Sequence, residues 1–160
     1  MKNRMMIEEL SEDKTRICED ILRSLPEWFG IEEAVKNYIE EVRARPMFVA
    51  VEKGMTAGFL SLTVHNKFTG EIHVMGVKRE FHRRGVGKDL VAHAETYLSE
   101  RGFKFLTVKT LSPSRESSEY EKTRKFYLAL GFVPLEEFKT LWGEANPCLF
   151  LAKAIKAPGG

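Results

Sequence analysis

His82, Arg83, Arg84, Gly85, Val86, Gly87 and Lys88 stand in one run. Before them, Glu71 to Val77 reads as a strand. After them, Gly87 to Arg101 reads as a helix. Glycine at a strand-to-helix turn lets the main chain approach a ligand with no Cβ in the way. The first N–H groups of the helix point outward, at the positive end of the helix dipole. Such a turn is an anion site, suited to a phosphate or pyrophosphate. Arg83, Arg84 and Lys88 add mobile positive charge around it. A P-loop is excluded, because the leading glycine is missing and Asp89 follows Lys88 where magnesium would need a hydroxyl. A dinucleotide fingerprint is excluded as well, since Leu90 stands in place of its third glycine.

The run resembles the coenzyme A pyrophosphate loop of the GNAT acetyltransferases, Gln/Arg-x-x-Gly-x-Gly/Ala, and departs from it at His82. A second stretch, Lys125-Phe126-Tyr127-Leu128-Ala129-Leu130-Gly131-Phe132, resembles the family's helix ending in Phe-Tyr-x-x-x-Gly-Phe. A strand-like run, Phe105 to Lys109, lies between them. The resemblance covers about Pro46 to Ala154. It implies an acetyl-CoA-dependent N-acetyltransferase in which the acceptor amine attacks directly within a ternary complex. It also implies that Tyr127 protonates the coenzyme A sulfur. Glu71 stands at the offset where histone-type members carry a catalytic glutamate. Met75 and Val77 would offer main-chain groups to the pantetheine arm, and His82 to Lys88 would hold the pyrophosphate. The loop Leu111 to Ser118 lacks the asparagine that many members use on the cofactor. Ser117 or Ser118 would substitute there, with Thr123 and Arg124 as further contacts.

Acetyl transfer to an amine needs a neutral nucleophile, donors for the oxyanion, and a proton for the departing thiolate. A phenol, with an ordinary pKa of about 10, can share a proton with an alkyl thiolate. Tyr127 therefore reads as that acid, or else as an aromatic packing residue on its helix. Period-two alternation puts Glu71, His73 and Met75 on one strand face. Glu71 is the leading general base, unless it is only a solvent-exposed strand end. His73 is the second, an imidazole titrating ordinarily near 6.5. Ordered water is the third. On the acceptor side, Trp28 and Phe29 beside Glu27 suit a cationic amine, or else plug the core between two helices. Trp142 stands in a similar acidic and aromatic stretch.

The elements that must position these groups follow from periodicity. Strands are expected at Met5–Glu8, Met47–Val51, Met55–Val64, Glu71–Val77, Phe105–Lys109, Phe132–Leu135 and Cys148–Ala152. Helices are expected at Asp13–Leu25, Ile31–Arg43, Gly87–Arg101 and Glu119–Leu130. The fold class is α/β (α+β), a mixed, mostly antiparallel sheet of about six to seven strands flanked by about four helices. The resemblance implies a splay between the fourth and fifth strands. Residues 1–155 read as one GNAT domain and 156–160 as a disordered tail.

With 160 residues and a net charge of +2, the chain is too weakly basic to argue for nucleic acid. No apolar run reaches membrane-span length, and no signal-peptide core follows Met1–Arg4. Cys18 and Cys148 lack metal-type spacing and read as buried or idle thiols in a reducing cytoplasm. No metal is expected. Partners are then acetyl-CoA and an amine acceptor, a small molecule or a peptide. The resemblance allows a homodimer. A protein lysine or N-terminal acetyltransferase and a non-catalytic coenzyme A sensor are the alternatives.

Overall fold

The computed structural model describes residues 5–158. Among them, seven strands form a sheet in the order β1-β2-β3-β4-β5-β7-β6, with four α-helices. The strands are β1 (Met6–Glu9), β2 (Met47–Glu52), β3 (Met55–Val64), β4 (Thr69–Val77), β5 (Phe105–Leu111), β6 (Val133–Phe138) and β7 (Cys148–Ala154). The helices are α1 (Lys14–Arg23), α2 (Glu32–Glu41), α3 (Val86–Glu100) and α4 (Ser118–Ala129). This is the α/β class read from the sequence, with boundaries moved by one to three residues. At the end of α2 the helix stops at Glu41 rather than Arg43, and a 3-10 turn, Val42–Ala44, follows. Met1–Arg4 and the last two residues of the expected tail lie outside the described residues; residues 155–158 carry no strand or helix.

The chain clusters into two compact units. The first comprises residues up to Thr63 and His73–Tyr97. Its core is built from α1 and the sheet. Ile17, Cys18, Ile21 and Leu22 fall on one face of α1 and are buried with Val35, Val42, Met47, Val49, Phe59 and Val74, which is the helical spacing of an amphipathic element. Gly76 of β4 allows the close approach, because a Cβ there would meet Ile21 at 3.0 Å and Leu25 at 3.3 Å. Arg23 joins α1 to α2 by a bidentate pair with Glu32 at 2.9 Å.

The second unit comprises Val64–Ile72 and the chain from Leu98 onward. Here the start of β4 pairs with β5 in parallel, Thr69 with Phe105 through Ile72 with Val108. The pairing stops there, although β4 runs on to Val77 and β5 to Leu111. This is the split expected between the fourth and fifth strands. β5 pairs antiparallel with β7, and β7 with β6. β6 ends the order, with a register shift between Pro134 and Glu136. A proline is tolerated in such an edge strand because its missing N–H breaks no interior ladder.

Candidate active site

The glycine loop belongs to the first unit. Val86 opens α3 and is buried at 2 % exposure, while His82, Arg83, Arg84, Gly85 and Lys88 are exposed. Gly85 has φ +76°, and a Cβ there would meet nothing within 4 Å. The backbone therefore bends in a conformation that favours glycine and faces open space. Arg83 also adopts positive φ, 62°. These features fit a pyrophosphate held by amides at a helix start. Arg84 departs from the expectation of mobile charge. Its guanidinium is held by Glu52 at 2.6–2.7 Å and lies over the Phe81 ring at 5.2 Å. Arg83 and Lys88 make no ion pair among the described residues. His82 ties the loop to the end of β4, its Nε2–H donating to the Val77 carbonyl at 2.7 Å. The Trp28 ring meets His82 edge-on at 5.8 Å.

His73 and Met75 lie on the half-buried face of β4 in the same unit. The His73 imidazole is 8 % exposed. Its Nδ1 is 2.8 Å from Ser61 Oγ, its Nε2 3.5 Å from Glu41, and its ring 5.4 Å from that of Tyr38. Phe29 meets Tyr38 edge-on at 6.3 Å. Trp28, Phe29 and Tyr38 are partly buried against the core. The two aromatics of the α1–α2 connection thus plug the core and keep part of their surface exposed.

Glu71 belongs to the second unit and is buried at 8 % exposure. The reading of Glu71 as an exposed strand end fails, because the parallel pairing with β5 covers it. Both of its oxygens accept from Lys109 Nζ at 2.9 Å. Oε1 also lies 2.6 Å from His65 Nε2 and 3.5 Å from Thr107 Oγ1. Lys109 in turn sits over the Phe150 ring at 5.3 Å.

Tyr127 is in the same unit, 5 % exposed, with its ring against Phe126 and Phe132 at 5.2 and 5.4 Å. Its carbonyl accepts the Phe132 N–H at 3.1 Å, where the chain turns out of α4. Packing is therefore part of its role, and the phenol is held at a fixed place. Ser117 caps α4 through the Tyr120 N–H, which is what a helix start asks of a serine. Arg124 donates to the Leu111 carbonyl at 2.7 Å. With Pro113, Glu116, Ser117, Ser118 and Glu121 it lines an open cleft of about 420 Å³. Trp142 is 41 % exposed in the turns between β6 and β7. Both cysteines are buried, and burial pushes the Cys18 thiol up to about 12 and the Cys148 thiol up to about 11. Among the described residues no cluster of three or more His, Cys, Asp or Glu could hold a metal ion, and no helix is long and apolar enough to cross a membrane.

The sequence matches the Acetyltransferase (GNAT) family over residues 6–132. The chain is a GNAT acetyltransferase. It is 28 % identical over 121 residues to an uncharacterized N-acetyltransferase of Chlorobaculum tepidum, covering 74 % of this chain and 70 % of that one. Its fold is similar to an aminoglycoside 6'-N-acetyltransferase complexed with coenzyme A, with TM-score 0.76, 20 % identity, and coverage of 98 % and 100 % of the two chains. It is also similar to the ribosomal-protein-S18-alanine N-acetyltransferase of Escherichia coli, with TM-score 0.75, 17 % identity, and coverage of 98 % and 97 %. The GNAT chain is accordingly an acyltransferase with acetyl-CoA as donor. Within it, sequence reasoning missed His65, Lys109 and Glu52 as partners of site residues. Lys109 shares the strand face of Thr107, opposite Glu71, a signal visible only once β4 and β5 are known to be paired in this register.

Proposed function

We propose that this enzyme transfers the acetyl group of acetyl-CoA to a primary amine of a small molecule, by direct attack in a ternary complex. Residues 1–155 would act as one catalytic domain, in the cytoplasm and without a metal. The observation that carries the donor assignment is the open, positive-φ turn at Gly85 before α3, flanked by the exposed Arg83 and Lys88. The main chain from Gly85 to Lys88 and those two side chains hold the pyrophosphate. Main-chain groups of Met75 and Val77 take the pantetheine arm, and Arg124 supports the cofactor from α4. The thioester supplies the electrophile. Tyr127 gives its phenolic proton to the departing sulfur. A basic group drawn from Glu71, His73 or water leaves the amine neutral. Trp28, Phe29 and Trp142 receive the acceptor through their exposed aromatic surface. A homodimer belongs to this reading as a family property.

A second reading, a protein N-terminal or lysine acceptor, draws support from the likeness to the ribosomal-protein acetyltransferase. Thiol release from acetyl-CoA, measured across polyamines, aminoglycosides, amino acids and short peptides, separates the two. Selective turnover of one small amine is expected. Turnover of peptides alone would transfer the assignment to a protein acceptor.

A further inference from the structure

The carboxylate of Glu71 is already engaged. Lys109 Nζ contacts both oxygens at 2.9 Å, and His65 Nε2 contacts Oε1 at 2.6 Å. The Glu71 side chain is only 10 % exposed, whereas His65 is 44 % exposed. A water or an amine therefore reaches the imidazole far more readily than the carboxylate behind it. The partner also sets the tautomer. A carboxylate accepts, so Nε2 carries the proton and Nδ1 keeps the lone pair of the neutral ring.

The turn that carries His65 is closed by hydrogen bonds. Asn66 Oδ1 accepts from the Phe68 and Thr69 N–H groups at 2.8 and 3.0 Å, and the His65 N–H donates to the Thr69 carbonyl at 3.0 Å. Glu71 itself stands one residue before the β4–β5 pairing ends at Ile72. The imidazole is thus fixed at both its backbone and its ring, next to the point where the strands part. A histidine held by a carboxylate through one nitrogen, with the other left to act, is the arrangement of a positioned general base.

We infer that His65 is the general base of this enzyme, with Glu71 as its positioning residue and Lys109 as the counter-charge that holds Glu71 in place. The inference rests on the acetyl-transfer reading above. In the step, an N–H bond of the acceptor ammonium breaks and an Nδ1–H bond forms, directly or through one water. The neutral amine keeps its electron pair for the thioester carbon. The resulting imidazolium keeps Nε2–H on Glu71 and returns the Nδ1 proton to solvent. The charged and titratable groups facing this pair are Lys109 on β5 and the Cys148 thiol on β7, with Lys67 on the same turn.

The test has two parts. Nitrogen-15 NMR of the His65 ring reads the tautomer without any substrate. The Nε2–H form is expected in the wild-type chain, with its signal moved in Glu71→Gln; an Nδ1–H form would overturn the inference. The pH profile of kcat/KM is then compared between wild type and His65→Gln, using an amine from the panel that the wild type acetylates. Loss of the rising limb and a roughly 100-fold fall at neutral pH are expected, with acetyl-CoA affinity unchanged by calorimetry. An unmoved limb in a folded His65→Gln would overturn the base assignment alone. Absence of turnover in the wild type on every amine would instead remove the acetyl-transfer reading beneath it, and the base assignment with it.

Discussion

Lys109 Nζ lies 2.9 Å from each carboxylate oxygen of Glu71, joining β5 to β4 just before their pairing ends. Removing one partner of a shielded pair leaves the other charge uncompensated, which costs far more than losing the pair as a whole. Lys109→Met is expected to destabilise the chain by about 3 kcal/mol in urea unfolding. Adding Glu71→Gln to that variant should recover much of the loss. Equal destabilisation in the single and double variants would mean that the ion pair matters little.

Gly85→Val is expected to abolish acetyl-CoA binding in calorimetry while the chain stays folded. A side chain at this position meets no protein atom within 4 Å, so the core is untouched. The cost to folding is the strain of positive φ, about 1–2 kcal/mol. The ligand's space, by contrast, would be filled. Retained affinity would make the turn purely structural.

Tyr127→Phe keeps the ring that packs on Phe126 and Phe132 and removes only the hydroxyl. Turnover is expected to fall roughly 100-fold, with acetyl-CoA affinity nearly unchanged. Unaltered turnover would leave the residue a packing role only.

Glu137 accepts from the hydroxyls of Ser112 and Ser114. These bonds hold its carboxyl below the usual carboxylate range. A depressed folded-state value stabilises the fold above the ordinary carboxylate pKa, and that stability is lost as pH falls through the folded value. The wild type should therefore lose stability between about pH 5 and pH 3 more steeply than Glu137→Gln. Identical acid profiles of the thermal midpoint would show that the serine contacts do not form in solution.

The glycine loop and the Phe-Tyr-x-x-x-Gly-Phe stretch were legible in the sequence because each is a local pattern. So were all seven strands and four helices, to within a few residues. What stayed hidden is long-range. Arg84 reads as a phosphate ligand until β2 brings Glu52 to it. Glu71 reads as an open strand end until β5 covers it. His65 carries no motif, and only the turn built by Asn66 sets its ring on Glu71. β6 runs to Phe138, beyond the expected Leu135, because its register with β7 shifts past Pro134 and then continues.

That same Pro134 has a consequence for how copies of this chain meet one another. β6 ends the strand order and exposes Val133 and Leu135, at 58 % and 59 %. An apolar strand with a bare edge invites a foreign strand to add to it. Pro134 withholds one of the N–H groups such an addition would need, and the shifted register bends the strand beside it. Glu136 and Glu137 then set like charges against any identical strand laid alongside. This edge of the sheet thus carries its own gatekeepers.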